Sequence, residues 1–198
     1  MGIELTTGQV ASELTQLLAN ADGAPTITSA KVLTLIKAGL FDNHGQGAQY
    51  RIDRDEVVAL ANRTRYVVDP AEIADLVFRV SVIEKRPSVC RDLNDDILRD
   101  NAGVDYTKPT NLDGVEGVWK LSLHNANRLV DEGGILLATS KGYVHPEHVR
   151  KVVRWEHVAG TSRRYFRTTE APEAVRSVIG TGIWIDVPPG RESDILVG

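Results

Sequence analysis

Apolar residues recur at helical spacing in two stretches near the N-terminus. Val10, Ala11, Leu14 and Leu17 share one face of a segment that opens on Thr6-Thr7, whose hydroxyls suit an early amide. It runs into the breaker-rich Asn20-Ala21-Asp22-Gly23-Ala24-Pro25, so a helix is expected to about Asn20. Val32, Leu33, Leu35 and Ile36 repeat the pattern after Thr28-Ser29, and Gly39 stands where a helix end favours a residue without a Cβ. That predicts a second helix over Ser29–Ala38. From Leu40 to Ile52, two short extended stretches joined by a glycine-containing turn have the pattern of a hairpin. Asp53 then caps a third helix ending near Asn62, with an acidic first turn suited to the positive helix end.

After residue 65 the pattern changes to that of strands. Ala74–Ile83, Gly117–Ser122, Ile135–Thr139, Val149–Trp155, Arg164–Arg167 and Gly182–Val187 are strand candidates. A short helix can start at Pro70-Ala71-Glu72-Ile73. His124–Asp131, closed by Gly133-Gly134, and Pro172–Val178 read as helices. Pro87 to Asp113 is polar and turn-rich, a long connection with at most one helix around Leu93–Arg99. The fold class expected is α+β: an N-terminal winged helix-turn-helix over 1–65, then a small mixed α/β domain over 66–198 with a bent antiparallel sheet or barrel.

Composition narrows the function classes. With 42% hydrophobic and 25% charged residues among 198, the chain belongs with folded proteins rather than disordered ones. No apolar run approaches the ~20 residues that span a bilayer. The start, Met1-Gly2-Ile3-Glu4-Leu5, lacks the regions of a signal peptide, so a cytoplasmic protein without a membrane partner is expected. The lone Cys90 excludes an internal disulfide and a thiolate-rich zinc site. The net charge of -4 arises entirely before residue 111, and 141–167 carries Lys141, Arg150, Lys151, Arg154, Arg163, Arg164 and Arg167 against only Glu147 and Glu156. A polyanion partner is therefore possible locally, with a solvated face as the plain alternative.

The strings Leu5-Thr6-Thr7-Gly8-Gln9-Val10-Ala11, Ser29-Ala30-Lys31-Val32 through Lys37-Ala38-Gly39-Leu40, and Tyr50-Arg51-Ile52-Asp53-Arg54-Asp55-Glu56-Val57 resemble the excisionase and MerR-type DNA-binding domains. The resemblance covers about a third of the chain and implies a second helix in the major groove of duplex DNA, with a wing on the backbone. Carried over, it makes Thr28, Ser29, Lys31, Thr34 and Lys37 groove residues and Gln46, Gln49 and Arg51 wing contacts. The chain departs from the family in the long stretch between its first two helices and in a recognition helix without Arg. The strand order after Gly117 is faintly similar to the PUA-like barrels, including the EVE and ASCH families, which implies binding of RNA or modified bases. Independently of that likeness, Trp155, Tyr165 and Phe166 interleave with Arg154, Arg163, Arg164 and Arg167, a composition that combines stacking with phosphate pairing.

Catalytic patterns fare less well. His145-Pro146-Glu147-His148 offers two imidazoles without a third ligand nearby, and Glu84-Lys85 is too closely spaced for a nuclease strand. Ser122 and His124 lack an orienting acid, and Asp95-Asp96 fits a solvated helix. No phosphate-cradling or dinucleotide fingerprint occurs, so no cofactor is implied. The expectation is a non-enzymatic DNA-binding protein, a transcriptional regulator or excisionase-like factor. Its N-terminal domain would read the duplex while Arg150, Lys151, Arg154, Arg163, Arg164 and Arg167 add phosphate contacts. The alternatives are a reader of modified DNA or RNA and a protein-interaction adaptor.

Overall fold

The computed structural model describes residues 2–47, 49–187, 190 and 192–197, and its fold is mixed α+β with several sheets. The N-terminal part runs β1 (Glu4–Leu5), α1 (Thr7–Leu17), α2 (Ser29–Lys37), β2 (Ile52–Asp53) and α3 (Arg54–Arg63). Each helix starts where a side chain takes over an orphan amide. Thr6 and Gln9 form a capping box on α1, Thr28 accepts from the Lys31 amide at 3.3 Å, and Asp53 accepts from the Asp55 amide at 2.9 Å. α2 ends as a Schellman turn: Gly39 takes φ +80°, and the Leu40 amide reaches the Leu35 carbonyl at 3.0 Å. Val10 and Leu14, Val32 and Leu35, and Val57 and Leu60 bury the facing sides of the three helices.

The hairpin expected between Leu40 and Ile52 does not form among the described residues, and Ala48 lies outside them. Side chains take the place of a ladder: Asn43 Oδ1 accepts from the Gly45 and Arg51 amides at 3.1 and 3.0 Å, and Glu56 accepts from the Asp42 amide at 3.2 Å. A loop results, and β2 pairs antiparallel with β1 instead.

The remainder comprises β3 (Arg65–Tyr66), a 3-10 turn Pro70–Glu72, β4 (Leu76–Ser81), β5 (Arg86–Arg91), β6 (Ile97–Ala102), α4 (Asp113–Glu116), β7 (Gly117–Trp119) and α5 (Leu123–Asp131). It continues with β8 (Ile135–Thr139), β9 (Tyr143–Val144), a 3-10 turn Pro146–His148, β10 (Val149–His157), β11 (Arg164–Glu170), α6 (Glu173–Ile179), β12 (Ile183–Trp184) and β13 (Ser193–Val197). Six strands form one sheet in the order β13-β4-β8-β10-β11-β7. It is mixed rather than antiparallel throughout, because β4 and β8 run parallel after the long crossover through β5, β6, α4, β7 and α5. Both faces of this pair are covered, which is why all five residues of β8 are buried and why its sequence shows no alternation. Phe78, Leu136, Val152 and Phe166 face Ala126 and Leu129 of α5 in one cluster. Val77, Ile135, Leu137 and Val149 join Val175 and Ile179 of α6 in the other. Arg79, fully buried in β4, donates to Asp194 of β13 at 2.6 Å and to Ser81 Oγ at 2.7 Å.

Two elements depart from expectation. The polar stretch after Pro87 contains the β5–β6 hairpin, and Asp95-Asp96 lies in its turn rather than on a helix. There Asp92 Oδ1 accepts from the Asn94 and Asp96 amides at 2.8 and 2.9 Å, and Asp95 takes φ +71°. β13 also pairs along β4, beyond the last strand anticipated.

A small sheet, β3-β12-β9, stitches the end of α3 to the rest. The Trp184 indole donates to Thr64 Oγ1 at 3.1 Å, and the Tyr66 hydroxyl donates to Asp186 at 2.9 Å. The Tyr106 amide reaches the Ala38 carbonyl at the end of α2 at 2.7 Å. The buried cluster that begins with Val10 and Leu35 accordingly continues through Tyr66 and Tyr143 to Trp184. Among the described residues, no helix is long and apolar enough to cross a membrane.

Candidate nucleic-acid interface

The capped start of α2 splits the expected groove residues into two groups. Thr28, Ser29 and Lys37 are exposed. Lys31 and Thr34 are half-buried and turn toward the second part of the chain, where they line a cleft of about 940 Å³. Lys31 Nζ donates to the Thr26 carbonyl at 2.5 Å, and Thr34 Oγ1 donates back to the Ala30 carbonyl at 3.1 Å. Burial pulls the Lys31 ammonium below the ordinary lysine range; the Asp186 carboxylate opposes this and the Lys141 charge adds to it. Of the expected wing contacts, Gln46 and Gln49 are exposed in the 41–51 loop, while Arg51 turns back on the Tyr50 carbonyl at 3.0 Å.

The arginine-rich strands are largely matched from within. Glu156 holds both Arg154, at 3.1 Å, and Arg167, at 3.0 Å, across the β10–β11 ladder. Arg167 also lies 4.8 Å from the Tyr165 ring centre. Arg163 grips both oxygens of Glu192, at 2.7 and 3.0 Å, which raises its pKa further. Arg164 covers the Trp155 ring at 5.1 Å and donates to the Leu121 carbonyl. Arg150 points its Nε at Thr168 Oγ1, 3.4 Å away, and Lys151 lies along Gly133. Tyr165 and Phe166 are buried, whereas Trp155 is half-buried, with its indole donating to Asn127 at 2.9 Å.

His145 and His148 pack against Tyr106, with His148 fully buried and its Nε2–H donating to the Pro109 carbonyl at 3.0 Å. Burial, helped by the neighbouring His145, pushes His148 down to about 3, so it is a neutral core ring at physiological pH.

Lys31 and Thr34 lead to a site that no local pattern marks. Their cleft shares Ser81, Val82, Ile83 and Glu192 with a second cavity of about 390 Å³ at the base of the β5–β6 hairpin. Together the two cavities form one groove beside the C-terminal end of β4. Its described lining carries Lys31, Lys141, Arg86, Arg99 and Arg163 against Asp186 and Glu192. Both acids are already engaged, Glu192 by Arg163 and Asp186 by the Tyr66 hydroxyl and the Thr26 amide. Among the described residues, Lys141, Arg86 and Arg99 have no carboxylate within ion-pair distance. Val82, Ile83, Val187 and Trp119 add apolar surface between the charges. The lysine reaches the groove because Lys141 and Gly142 both take positive φ, +54° and +103°, in the tight turn between β8 and β9.

No family model matches this chain, and no significant match to it is found among curated proteins or solved structures.

Proposed function

We propose that this protein binds nucleic acid and that a single strand lies in the groove between α2 and the end of β4. The observation that carries the reading is the convergence of Lys141, Arg86 and Arg99, without a carboxylate at ion-pair distance among the described residues, on a surface where Glu192 is held by Arg163 and Asp186 by the Tyr66 hydroxyl and the Thr26 amide. Cations for phosphates, alternating with apolar surface for bases, are what a sequence-tolerant single-strand site needs. Cavities of this size enclose a drug-sized ligand, so the groove suits a chain of a few nucleotides and not a duplex. In this reading the helical unit α1–α3 is of helix-turn-helix type, with the 41–51 loop in the place of a wing, and supplies one wall through Lys31 and Thr34.

A second reading keeps the duplex. It is favoured by the exposure of Thr28, Ser29 and Lys37 on α2 and of Gln46 and Gln49 in the loop after it. On that reading the outer side of α2 reads DNA as in a transcriptional regulator or excisionase-like factor.

Fluorescence anisotropy with single-stranded DNA, single-stranded RNA and the matching duplex, titrated against salt, separates the two. The groove reading expects the single strands to bind better, with a log–log salt slope of about -2 if three cations each meet a phosphate. Preference for the duplex, lost on substituting Ser29 and Lys37 but not Lys141, would install the second reading instead.

A further inference from the structure

The two ends of the groove differ in what they can hold. At the α2 end, Lys31 lies in the field of the Asp186 carboxylate as well as that of Lys141. At the hairpin end, Arg86 and Arg99 have no carboxylate within ion-pair distance among the described residues, and the only acid in the lining, Glu192, is occupied on both oxygens by Arg163.

Arg99 is held in place there. One of its amino groups donates to the Gly117 carbonyl, another lies 3.5 Å from Ser88 Oγ, and its Nε is buried without a partner. Burial chiefly lowers its hold on its proton; Cys90, Tyr165 and Asp113 oppose this, and the like charge of Arg86 adds the least to it. Neither guanidinium is ion-paired among the described residues, and like charges lining one cavity repel, so an anion seated between them removes that cost.

The walls leave room for one. A Cβ on Gly114 would fall 1.8 Å from the Gly103 carbonyl oxygen, and one on Gly103 would fall 2.3 Å from that of Glu84. Backbone therefore packs on backbone at these two positions, which line a cavity of about 390 Å³ without adding a side chain to it.

The charge count selects the anion. A phosphodiester within a strand carries one negative charge, whereas a phosphomonoester carries about -1.5 to -2 at pH 7 and offers three acceptor oxygens. Two guanidiniums match the second and exceed the first, and their forked donors suit its geometry.

We propose that the Arg86–Arg99 end of the groove is a phosphomonoester subsite, so that the protein favours strands carrying a terminal phosphate. This rests on the groove being a nucleic-acid site. The phosphate itself has two sources, the end of a strand or a free mononucleotide.

The full chain is titrated with one single-stranded oligonucleotide in three forms: 5′-phosphorylated, 3′-phosphorylated and without a terminal phosphate. AMP and inorganic phosphate serve as competitors and as additives in thermal unfolding. At least one phosphorylated form is expected to bind about tenfold tighter than the bare strand. R86Q should bring that form down to the bare-strand level. R99K, which keeps the charge but not the fork, should lower the preference while leaving the unfolding temperature near wild type. Displacement of the phosphorylated strand by AMP, but not by adenosine, would support the subsite and identify a free mononucleotide as an occupant.

Equal affinity for all three strands, with K141E still weakening each of them, overturns the subsite and leaves the groove reading standing. No strand binding, together with a rise in unfolding temperature with AMP that R86Q abolishes, overturns the groove reading and keeps the subsite. No response to any of these probes overturns both.

Discussion

Arg163, Arg164 and Arg167 crowd together at the start of β11, whereas the groove joins Arg163 to Lys31, Arg86, Arg99 and Lys141 from positions scattered along the chain. Density in sequence would favour the strand as the polyanion surface, yet the fold reverses that order. Glu156 stands two residues from Arg154 and opposite Tyr165, where it reaches two guanidiniums at once, and Glu192 arrives on the segment leading into β13 to take Arg163. Among the described residues, the scattered cations have no carboxylate within ion-pair distance, although Asp186 acts on Lys31 and Asp113 on Arg99 from farther away. What decides whether a cation is available to a ligand is the carboxylates that tertiary structure brings to it, and most of those are remote in sequence.

The largest test of this compensation rule lies away from both surfaces. Arg79 is fully buried and Asp194 nearly so, and their 2.6 Å pair holds β13 on β4. Removing one partner of a buried ion pair is costly, so D194A should cost about 3 kcal/mol or more in urea unfolding. A loss under about 1 kcal/mol would show the guanidinium satisfied without its acid and would weaken the comparison at its root.

Next in size is a direct contest between the two regions. K141E and R86E should each weaken single-strand binding about tenfold and flatten the salt slope by about 0.7 or more per phosphate contact. R154E replaces a cation that is 68% exposed but paired with Glu156, and should change affinity less than about twofold, as exposed pairs contribute little. If R154E proves the more damaging substitution, the arginine strand is the binding surface after all.

How far the sequence allowed this to be foreseen depended on the range of the interactions. The capping side chains Thr6, Thr28 and Asp53 act on amides two or three residues away, so their helices were legible, whereas Ser122, read as the end of a strand, caps α5. So were β4, rich in apolar and β-branched residues apart from Arg79, and β8, whose unbroken apolar run reports burial on both faces. The β5–β6 hairpin was not, because its residues are half-buried or exposed, with Leu98 alone buried, and carry no apolar alternation. The loop after α2 misled for a related reason: Asn43 and Glu56 satisfy amides that a hairpin would have paired. Lys31 and Thr34 were legible as candidates but not in their setting, since the cleft they face is built by Ser81–Ile83, Lys141 and Asp186. Arg86 and Arg99 gave no signal, for their meeting depends on strands that the sequence did not reveal.

A smaller effect should come from removing an acid instead of a cation. E192Q releases Arg163 inside the groove without adding a charge of its own, so single-strand affinity should rise about threefold and the salt slope should steepen by about 0.7. Because Arg163 also donates to the Val118 carbonyl at 3.0 Å, it stays in position when the acid is lost. An unchanged slope would mean that this guanidinium serves the sheet alone.

The smallest effect sharpens the comparison most. E156Q frees Arg154 and Arg167, which face each other directly across β10 and β11. If uncompensated charge were sufficient for binding, this variant would turn the strand into a second site and raise affinity at least as much as E192Q. The strand lacks what the groove has, however. Its arginines lie on an open surface, with Tyr165 buried beneath Arg167 and Trp155 already covered by Arg164. Exposed cations gain little from a phosphate that water screens equally well, and no ring face is left for a base. E156Q should therefore raise affinity by less than about twofold at ~0.1 M salt and more only at lower ionic strength, because the added attraction is screened. A gain equal to that of E192Q, measured on the same oligonucleotide, would show that confinement between α2 and the sheet adds nothing to charge alone.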